Sequence, residues 1–471
     1  MTAFLISLAV LIGGYFLYGA IVDKIMATDK NRQMPAYTKR DDIDYIPLKP
    51  WRIFMIQFLN IAGLGPIFGA IMGIMFGPAA FLWISLGTIF AGAVHDFCSG
   101  VISIRMNGAS LPEIVGSVLG SNARKFLSIV TVLLLLLVTA VFVVTPAGIL
   151  ASLTPSILDV TFWTIAIFAY YVLATLLPID KLIGNLYPIF GGALLFMAAG
   201  ILGVLLFSDV TIPVSFADGL ESKSSNPIFP MMFVSIACGA ISGFHSTQSP
   251  MMARCLTNEK LARPIFYGAM VAEGIVALIW AAAAVAFTGG YEQLSQYLTA
   301  GHSTADVVSE ISFGWLGKTG GILAILGVIA APITTGDTAL RSARLTIADF
   351  LKLNQKPILS RLAVVIPMVV IIWGIMQIDF QVLWRYFAWC NQVLSVITLW
   401  AITAFLSYHK KPYIISLVPA LFMTIVCTSY ILYAPKPEGF GLSIESAKFA
   451  GITLAAIFAA IFFISKRKQK T

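Results

Sequence analysis

The sequence predicts an all-α, polytopic membrane protein of about 13 transmembrane helices, arranged as a 5+5 inverted repeat with two broken helices. Three observations carry this expectation. Of the 471 residues, 59% are hydrophobic and only 11% charged, too few to coat a water-exposed surface, where about a quarter is usual. Apolar stretches long enough to cross a bilayer recur along the whole chain. Lysine and arginine concentrate in alternate connecting segments.

The apolar runs begin near Thr2, Trp51, Pro78, Phe126, Thr161, Leu186, Phe229, Pro264, Thr319, Ile358, Val382, Pro412 and Ala447. The first has no basic segment before it and no cleavage-like site after it, so it reads as a retained helix. Positive charge sets orientation. It gathers at Lys24 to Lys49, Arg105 with Arg124 and Lys125, Lys181, Arg254 to Arg263, Arg341 to Arg361, Lys410 with Lys411, and the tail Lys466-Arg467-Lys468. The intervening segments, 152–160, 207–228 and 288–317, carry only Lys223. An odd number of spans, with the N-terminus outside and the C-terminus cytoplasmic, fits this alternation. The polar segment before Thr319 has room for a short amphipathic helix around Asp306–Phe313.

The net charge of +8 belongs to these segments and to anionic lipid headgroups, with no aromatic-interleaved basic surface for nucleic acid. The five cysteines, Cys98, Cys238, Cys255, Cys390 and Cys427, form no CxxC pair, so neither a disulfide framework nor a metal site is expected. HExxH and GxSxG are absent, and no enzymatic activity is expected.

Two spans are interrupted. One contains Asn60-Ile61-Ala62-Gly63-Leu64-Gly65-Pro66; the other runs from Cys238 through Gly239, Ser242, Gly243, His245, Ser246, Thr247, Gln248 and Ser249 to Pro250. Glycine loosens the backbone and proline removes a donor, so both helices should break. Unpaired backbone at membrane depth survives only in protein or beside a cavity. Each break opens a set of five spans, and the two sets run in opposite senses. The expected organisation is 1–50, a peripheral helix and cytoplasmic loop; 51–207, the first repeat; 208–228, an extracytoplasmic loop; 229–408, the second repeat; and 409–471, two peripheral helices with a basic tail. Such inverted repeats hold their substrate at the breaks, near mid-membrane.

Gly63 and Gly65 should form the first break, with Pro66 in the first turn of the next half-helix, whose N-terminus attracts a carboxylate. A packed glycine kink is the alternative. After the second break, Gly243, His245, Ser246, Thr247 and Gln248 are expected to contact substrate, with Ser249-Pro250 as N-cap and first turn; a hydrogen-bonded structural histidine is the alternative. His95-Asp96 and Glu273 lie in apolar spans and should face the bundle interior, either relaying a proton or pairing structurally. Thr334, Thr335 and Asp337 offer hard oxygen ligands for a coupling cation. The competing reading has Thr335 capping the helix that carries Asp337, Arg341 and Arg344.

Four segments resemble the carbon starvation protein A (CstA) family. They are Gly63-Leu64-Gly65-Pro66-Ile67-Phe68-Gly69-Ala70, Gly92-Ala93-Val94-His95-Asp96-Phe97, Ser242-Gly243-Phe244-His245-Ser246 and Thr335-Gly336-Asp337-Thr338-Ala339-Leu340-Arg341. They fall in the family's order and cover most of the apolar core; the chain looks like the shorter form, without the extra C-terminal membrane segments of larger members. The resemblance implies an inner-membrane transporter of the amino acid–polyamine–organocation superfamily, taking up small peptides or pyruvate during nutrient limitation. The expected function is import coupled to a proton or sodium gradient, with no cofactor beyond H+ or Na+. Partners are the solute and the lipid bilayer. A uniporter or channel is the alternative, although the chain has no repeated filter sequence. Nothing in the sequence sets the oligomeric state.

Overall fold

The computed structural model describes residues 1–176, 183–378, 380–436 and 438–468, and among them every regular element is helical. Helix α1 (Thr2–Met26) leads into α2 (Pro50–Ile61) and α3 (Gly65–Ile74), which are bent by 53° at the first break. Then follow α4 (Ala79–Arg105), α5 (Ser121–Leu153), α6 (Val160–Leu176) and α7 (Ile183–Phe207). The segment 228–253 consists of short pieces ending in α8 (His245–Ala253). After it come α9 (Glu259–Thr288), α10 (Thr304–Leu351), α11 (Ile358–Ile375), α12 (Phe380–Tyr408), α13 (Ile414–Tyr433) and α14 (Ile444–Lys468).

Among the described residues, ten helices are long and apolar enough to cross a membrane, or eleven if α2 and α3 form one span. The thirteen expected runs all fall on helical segments, but two do not meet that length. Helix α6 has 17 residues, and 228–253 is broken into pieces. The chain is a multi-pass membrane protein. Its outer faces carry large exposed apolar side chains such as Phe16, Leu17, Phe126, Ile189, Val370 and Phe449, as lipid contact requires.

The interior is apolar but studded with polar groups. Helix α9, with Trp280 and a run of fully buried alanines, lies at its centre. Helix α10 begins with an amphipathic turn that contains the expected Asp306–Phe313 helix, fixed by a capping box between Ser303 and Asp306. At Gly317 the backbone turns with φ 65°, a conformation glycine tolerates, before the apolar span begins.

The loops sort into two ends. At one, Arg32 and Arg105 both bind Glu259, and Lys411 Nζ donates to the carbonyls of Ile25 and Met26. At the other, Lys223 N donates to Phe76 O, and the N-terminal ammonium to Ile212 O. Arg32, Arg105, the segment holding Glu259 and Lys411 thus share one end. Lys181 lies outside the described residues.

Arg341 and Arg344 depart from expectation. They are fully buried inside α10 rather than set in a loop. Both clasp Asp44, which lies in the segment between α1 and α2: Arg341 Nη1 is 3.0 Å from Asp44 Oδ1 and Arg344 Nη2 is 3.3 Å from Oδ2. Asp41 Oδ1 fixes the approach by accepting from the N–H groups of Ile43, Asp44 and Tyr45, each at 2.9 Å. Arg254 Nε reaches Gly108 O at 2.9 Å, with its guanidinium over the Tyr45 ring. Charges this deep persist only when paired.

Burial pushes the Asp44 carboxyl up, but Arg344, Arg341 and Arg254 outweigh it and hold the group below its ordinary value of 3.8. A depressed carboxylate stabilises the fold above its unfolded value, and the contribution is lost as pH falls through the folded value. Thermal unfolding in detergent should therefore show the Asp44 contribution intact at pH 5 and fading only below about pH 4. Asp44→Ala should cost about 3–5 kcal/mol at neutral pH, because two buried guanidinium groups lose their counter-charge.

Candidate functional site

The two breaks meet. At the first, Ala62–Leu64 leave the helix, and Pro66 sits in the first turn of α3, where a missing N–H is harmless. At the second, Ile241 is extended (φ −159°, ψ 137°) and helicity resumes at His245. The segments run antiparallel in contact. Gln57 Nε2 donates to Ser249 Oγ at 3.3 Å. A Cβ on Gly65 would lie 2.1 Å from that of Cys238, and one on Gly69 would lie 2.8 Å from Ser235 O. Close backbone approach is thus the reason these positions are glycine. Helix α4 covers the second break from the side: Thr88 Oγ1 donates to Gly239 O at 3.0 Å, and a Cβ on Gly92 would strike Ala240 O.

Ser249-Pro250 is not the helix start that the sequence suggested. Helix α8 begins four residues earlier, and Pro250 lies inside it. The reason lies in local hydrogen bonding. Ser246 Oγ and Thr247 Oγ1 turn back onto the carbonyls of Gly243 and Phe244, so the helix winds directly from the break.

His95, Asp96, His245 and Glu273, placed on three elements, converge in one fully buried chain. Asp96 Oδ1 is 2.8 Å from His95 Nδ1, and Asp96 Oδ2 is 3.0 Å from His245 Nδ1. His245 Nε2 lies 3.6 Å from Glu273 Oε2, just beyond hydrogen-bond length, and among the described residues neither Glu273 oxygen has another partner. One imidazole therefore bridges two carboxyl groups through its two nitrogens. This is a connected path along which a proton can pass with small movements.

The expected cation group is split. Thr335 Oγ1 faces the first break, 3.1 Å from Asn60 O and 3.3 Å from Leu59 O, and Thr338 Oγ1 lies 3.3 Å from Asn60 Oδ1. Thr335 is no cap, because α10 runs unbroken through it. Thr334 Oγ1 is turned back onto the carbonyls of Ala330 and Ala331. Asp337 points away from the break, where Tyr170 and Tyr187 both donate to its Oδ2. Two positions along a helix reverse the facing by about 200°, which separates Asp337 from Thr335.

Gln248 Nε2 bonds Thr247 Oγ1 and Ser342 Oγ. A cavity of about 250 Å³ reaches Gly65 and Cys238 between the breaks, walled by Ser235, Trp384, Phe387 and Ala388. It opens toward the end that holds Ser224 and Asn226. A separate, smaller space of about 20 Å³ lies beside Thr247, Arg254 and Ser342. Sequence reasoning missed Asn391 and Gln392 of α12, which are fully buried against the second break. Two adjacent amides inside an apolar helix were the available signal.

Broken helices in contact, a cavity ending at them and a buried titratable chain define a multi-pass membrane protein built around a central polar site. The family described as carbon starvation protein CstA matches residues 1–160 and 151–319, and the chain belongs to it. A Haemophilus influenzae membrane protein is 42% identical over 354 residues, 64% of this chain and 95% of that one. The Escherichia coli pyruvate/proton symporter BtsT is 29% identical over 333 residues, 56% of this chain and 46% of that one. For the Campylobacter jejuni peptide transporter CstA the figures are 29% over 335 residues, 56% and 47%. The chain thus matches about half the length of these two named transporters. In fold, it resembles a manganese transporter of Eremococcus coleocola, with TM-score 0.51 and 13% identity over 89% of this chain and 94% of that one.

Gly243→Ala tests the close approach at the second break. Its Cβ would fall 2.2 Å from Asn391 O and 2.5 Å from Ser395 N, so the variant should lose about 1–3 kcal/mol in detergent unfolding. Gly148→Ala, with nothing within 4 Å, should lose none.

Proposed function

We propose that this protein is a secondary active transporter that imports a small organic anion or short peptide, pyruvate or a di- or tripeptide, together with protons. The observation that carries this reading is the buried chain His95–Asp96–His245–Glu273, whose middle histidine opens the helix after the second break. Solute and proton can then influence one another through a single residue. The relatives described as a pyruvate/proton symporter and a peptide transporter agree with it.

In this reading the solute occupies the cavity at Gly65 and Cys238, its carboxylate toward the N-terminal turn of α3 beside Gly63 and Gly65. Ala237 and Cys238 form the opposing wall; Gly243, His245, Ser246, Thr247 and Gln248, expected to contact substrate, are not among the residues lining this cavity. The antiparallel breaks support the inverted repeat, with 51–207 and 229–408 as its halves, thirteen spans, and 1–50 and 409–471 peripheral to it. That organisation agrees with membership of the amino acid–polyamine–organocation superfamily. The clasped, arginine-rich end is assigned to the cytoplasm of an inner membrane, with the N-terminus outside. The large cavity then makes this an outward-facing arrangement.

Sodium coupling is the second reading. It is favoured by the oxygens of Thr335, Thr338, Asn60 and Leu59 at the first break, which suit a hard cation. Asp337 would contribute through α10 rather than as a direct ligand. The manganese transporter shares only the fold. Among the described residues no three His, Cys, Asp or Glu groups stand together as a metal site.

Uptake of labelled pyruvate and dialanine into proteoliposomes, under imposed proton or sodium gradients, tests the proposal. An inward proton gradient should raise uptake, and unlabelled substrate inside should accelerate exchange. Asp96→Asn, His245→Ala and Glu273→Gln should each cut gradient-driven uptake about 100-fold while the protein still inserts. Flux indifferent to both gradients and lacking counterflow would mean a uniporter or channel instead.

A further inference from the structure

At the second break, the N–H groups of Gly243 and Phe244 and the carbonyl of Ile241 have no helical partner. Helix α12 replaces them. Phe244 N donates to Asn391 Oδ1 at 2.7 Å, and Gly243 N to the Asn391 carbonyl at 3.1 Å. Gln392 Nε2 donates to Ile241 O at 3.0 Å. Asn391 Nδ2 donates to Ser242 Oγ at 2.9 Å and approaches Cys238 Sγ at 3.5 Å. Both amides are fully buried, and the glycine at 243 leaves no room between the two backbones. A buried amide that saturates main-chain groups fixes their geometry, because any departure leaves a donor or acceptor unpaired.

The same helix lines the cavity. Trp384, Phe387 and Ala388 wall it, and Ala388 lies less than a helical turn before Asn391. Two turns beyond Asn391, Thr398 Oγ1 donates to Ser246 Oγ at 3.1 Å. Helix α12 therefore touches the cavity, the break and the start of α8 along one face.

We propose that Asn391 and Gln392 are the positioning residues of the second break: they clamp its backbone to α12 and so tie the placement of His245 to the cavity wall formed by Trp384, Phe387 and Ala388. Neither residue needs to touch the solute. When the wall moves, the clamp carries the break with it, and the imidazole between Asp96 and Glu273 moves as well. This deepens the transporter reading, and it rests on that reading only for its effect on uptake.

The test uses the full-length protein in lipid nanodiscs and its native cysteines. A membrane-impermeant maleimide is applied, and labelling at each cysteine is followed by mass spectrometry. Cys238 borders both the cavity and the clamp, whereas Cys98 and Cys427 are buried elsewhere. Asn391→Ala should raise the labelling rate of Cys238 about tenfold, with Cys98 and Cys427 unchanged. Should Asn391→Ala not accumulate in membranes, Gln392→Leu, which removes one bond and leaves Asn391 in place, should raise it about threefold. Parental labelling at Cys238 in the variant that accumulates overturns the proposal. So does an equal rise at all cysteines, which would mean general loosening. In proteoliposomes, the same variants should lose stimulation by the proton gradient before they lose substrate exchange; retained stimulation also overturns the clamp. If the parent protein moves neither pyruvate nor dialanine, the transporter reading fails, while the labelling result still decides the clamp.

Discussion

Hydrocarbon offers no hydrogen bonds, so any main-chain group that leaves a helix at membrane depth must find its partner within the protein. The architecture of this chain answers that demand at two places. Around the first break, α10 supplies Thr335; around the second, α12 supplies Asn391 and Gln392, and α4 supplies Thr88. The glycines at 65, 69, 92 and 243 allow these backbones to come close enough for the bonds to form. A continuous helix would have needed none of this, and would have offered a solute nothing.

The same demand explains the distribution of charge. Ionisable groups inside the bundle form linked sets, such as Asp44 with Arg341 and Arg344, and Asp96 with His95 and His245. The first set joins a connecting segment to a helix and closes one end of the bundle. The second lies between helices and is incompletely satisfied, since Glu273 has no donor nearer than His245 Nε2. A closed set stabilises an arrangement, and an open one is able to change its proton content. In the transporter reading proposed above, the first set would be structural and the second would exchange protons.

Much of this was legible in the residues. Gly-Leu-Gly-Pro and Ser-Gly-Phe-His announce broken helices because no other composition breaks a span so economically, and the ionisable His95, Asp96, His245 and Glu273 stand out against apolar neighbours. The partners were harder to read. Thr335 meets Asn60 across 275 residues, and Asp44 meets Arg341 across 297. No local pattern encodes such pairings. Arg341 and Arg344 were misread as loop charges because charge usually ends a span, and only a distant aspartate makes their burial tolerable. Asp337 was grouped with Thr335 by proximity in sequence, but helical rotation sends the two to opposite sides. The start of α8 was misplaced because a proline usually marks a first turn, whereas serine and threonine hydroxyls had already wound the chain from Gly243.

Helix α10 is one uninterrupted rod from Lys318 to Leu351, and this has a mechanical consequence. Thr335 at the first break and Arg341 at the arginine clasp are six residues apart, roughly 9 Å along the axis. A rod so short does not bend between them. A tug at mid-depth is therefore felt at the rim almost undiminished, and the segment holding Asp44 returns it to the first broken helix at Pro50. Centre and rim form a closed linkage, in which loosening one joint slackens the other.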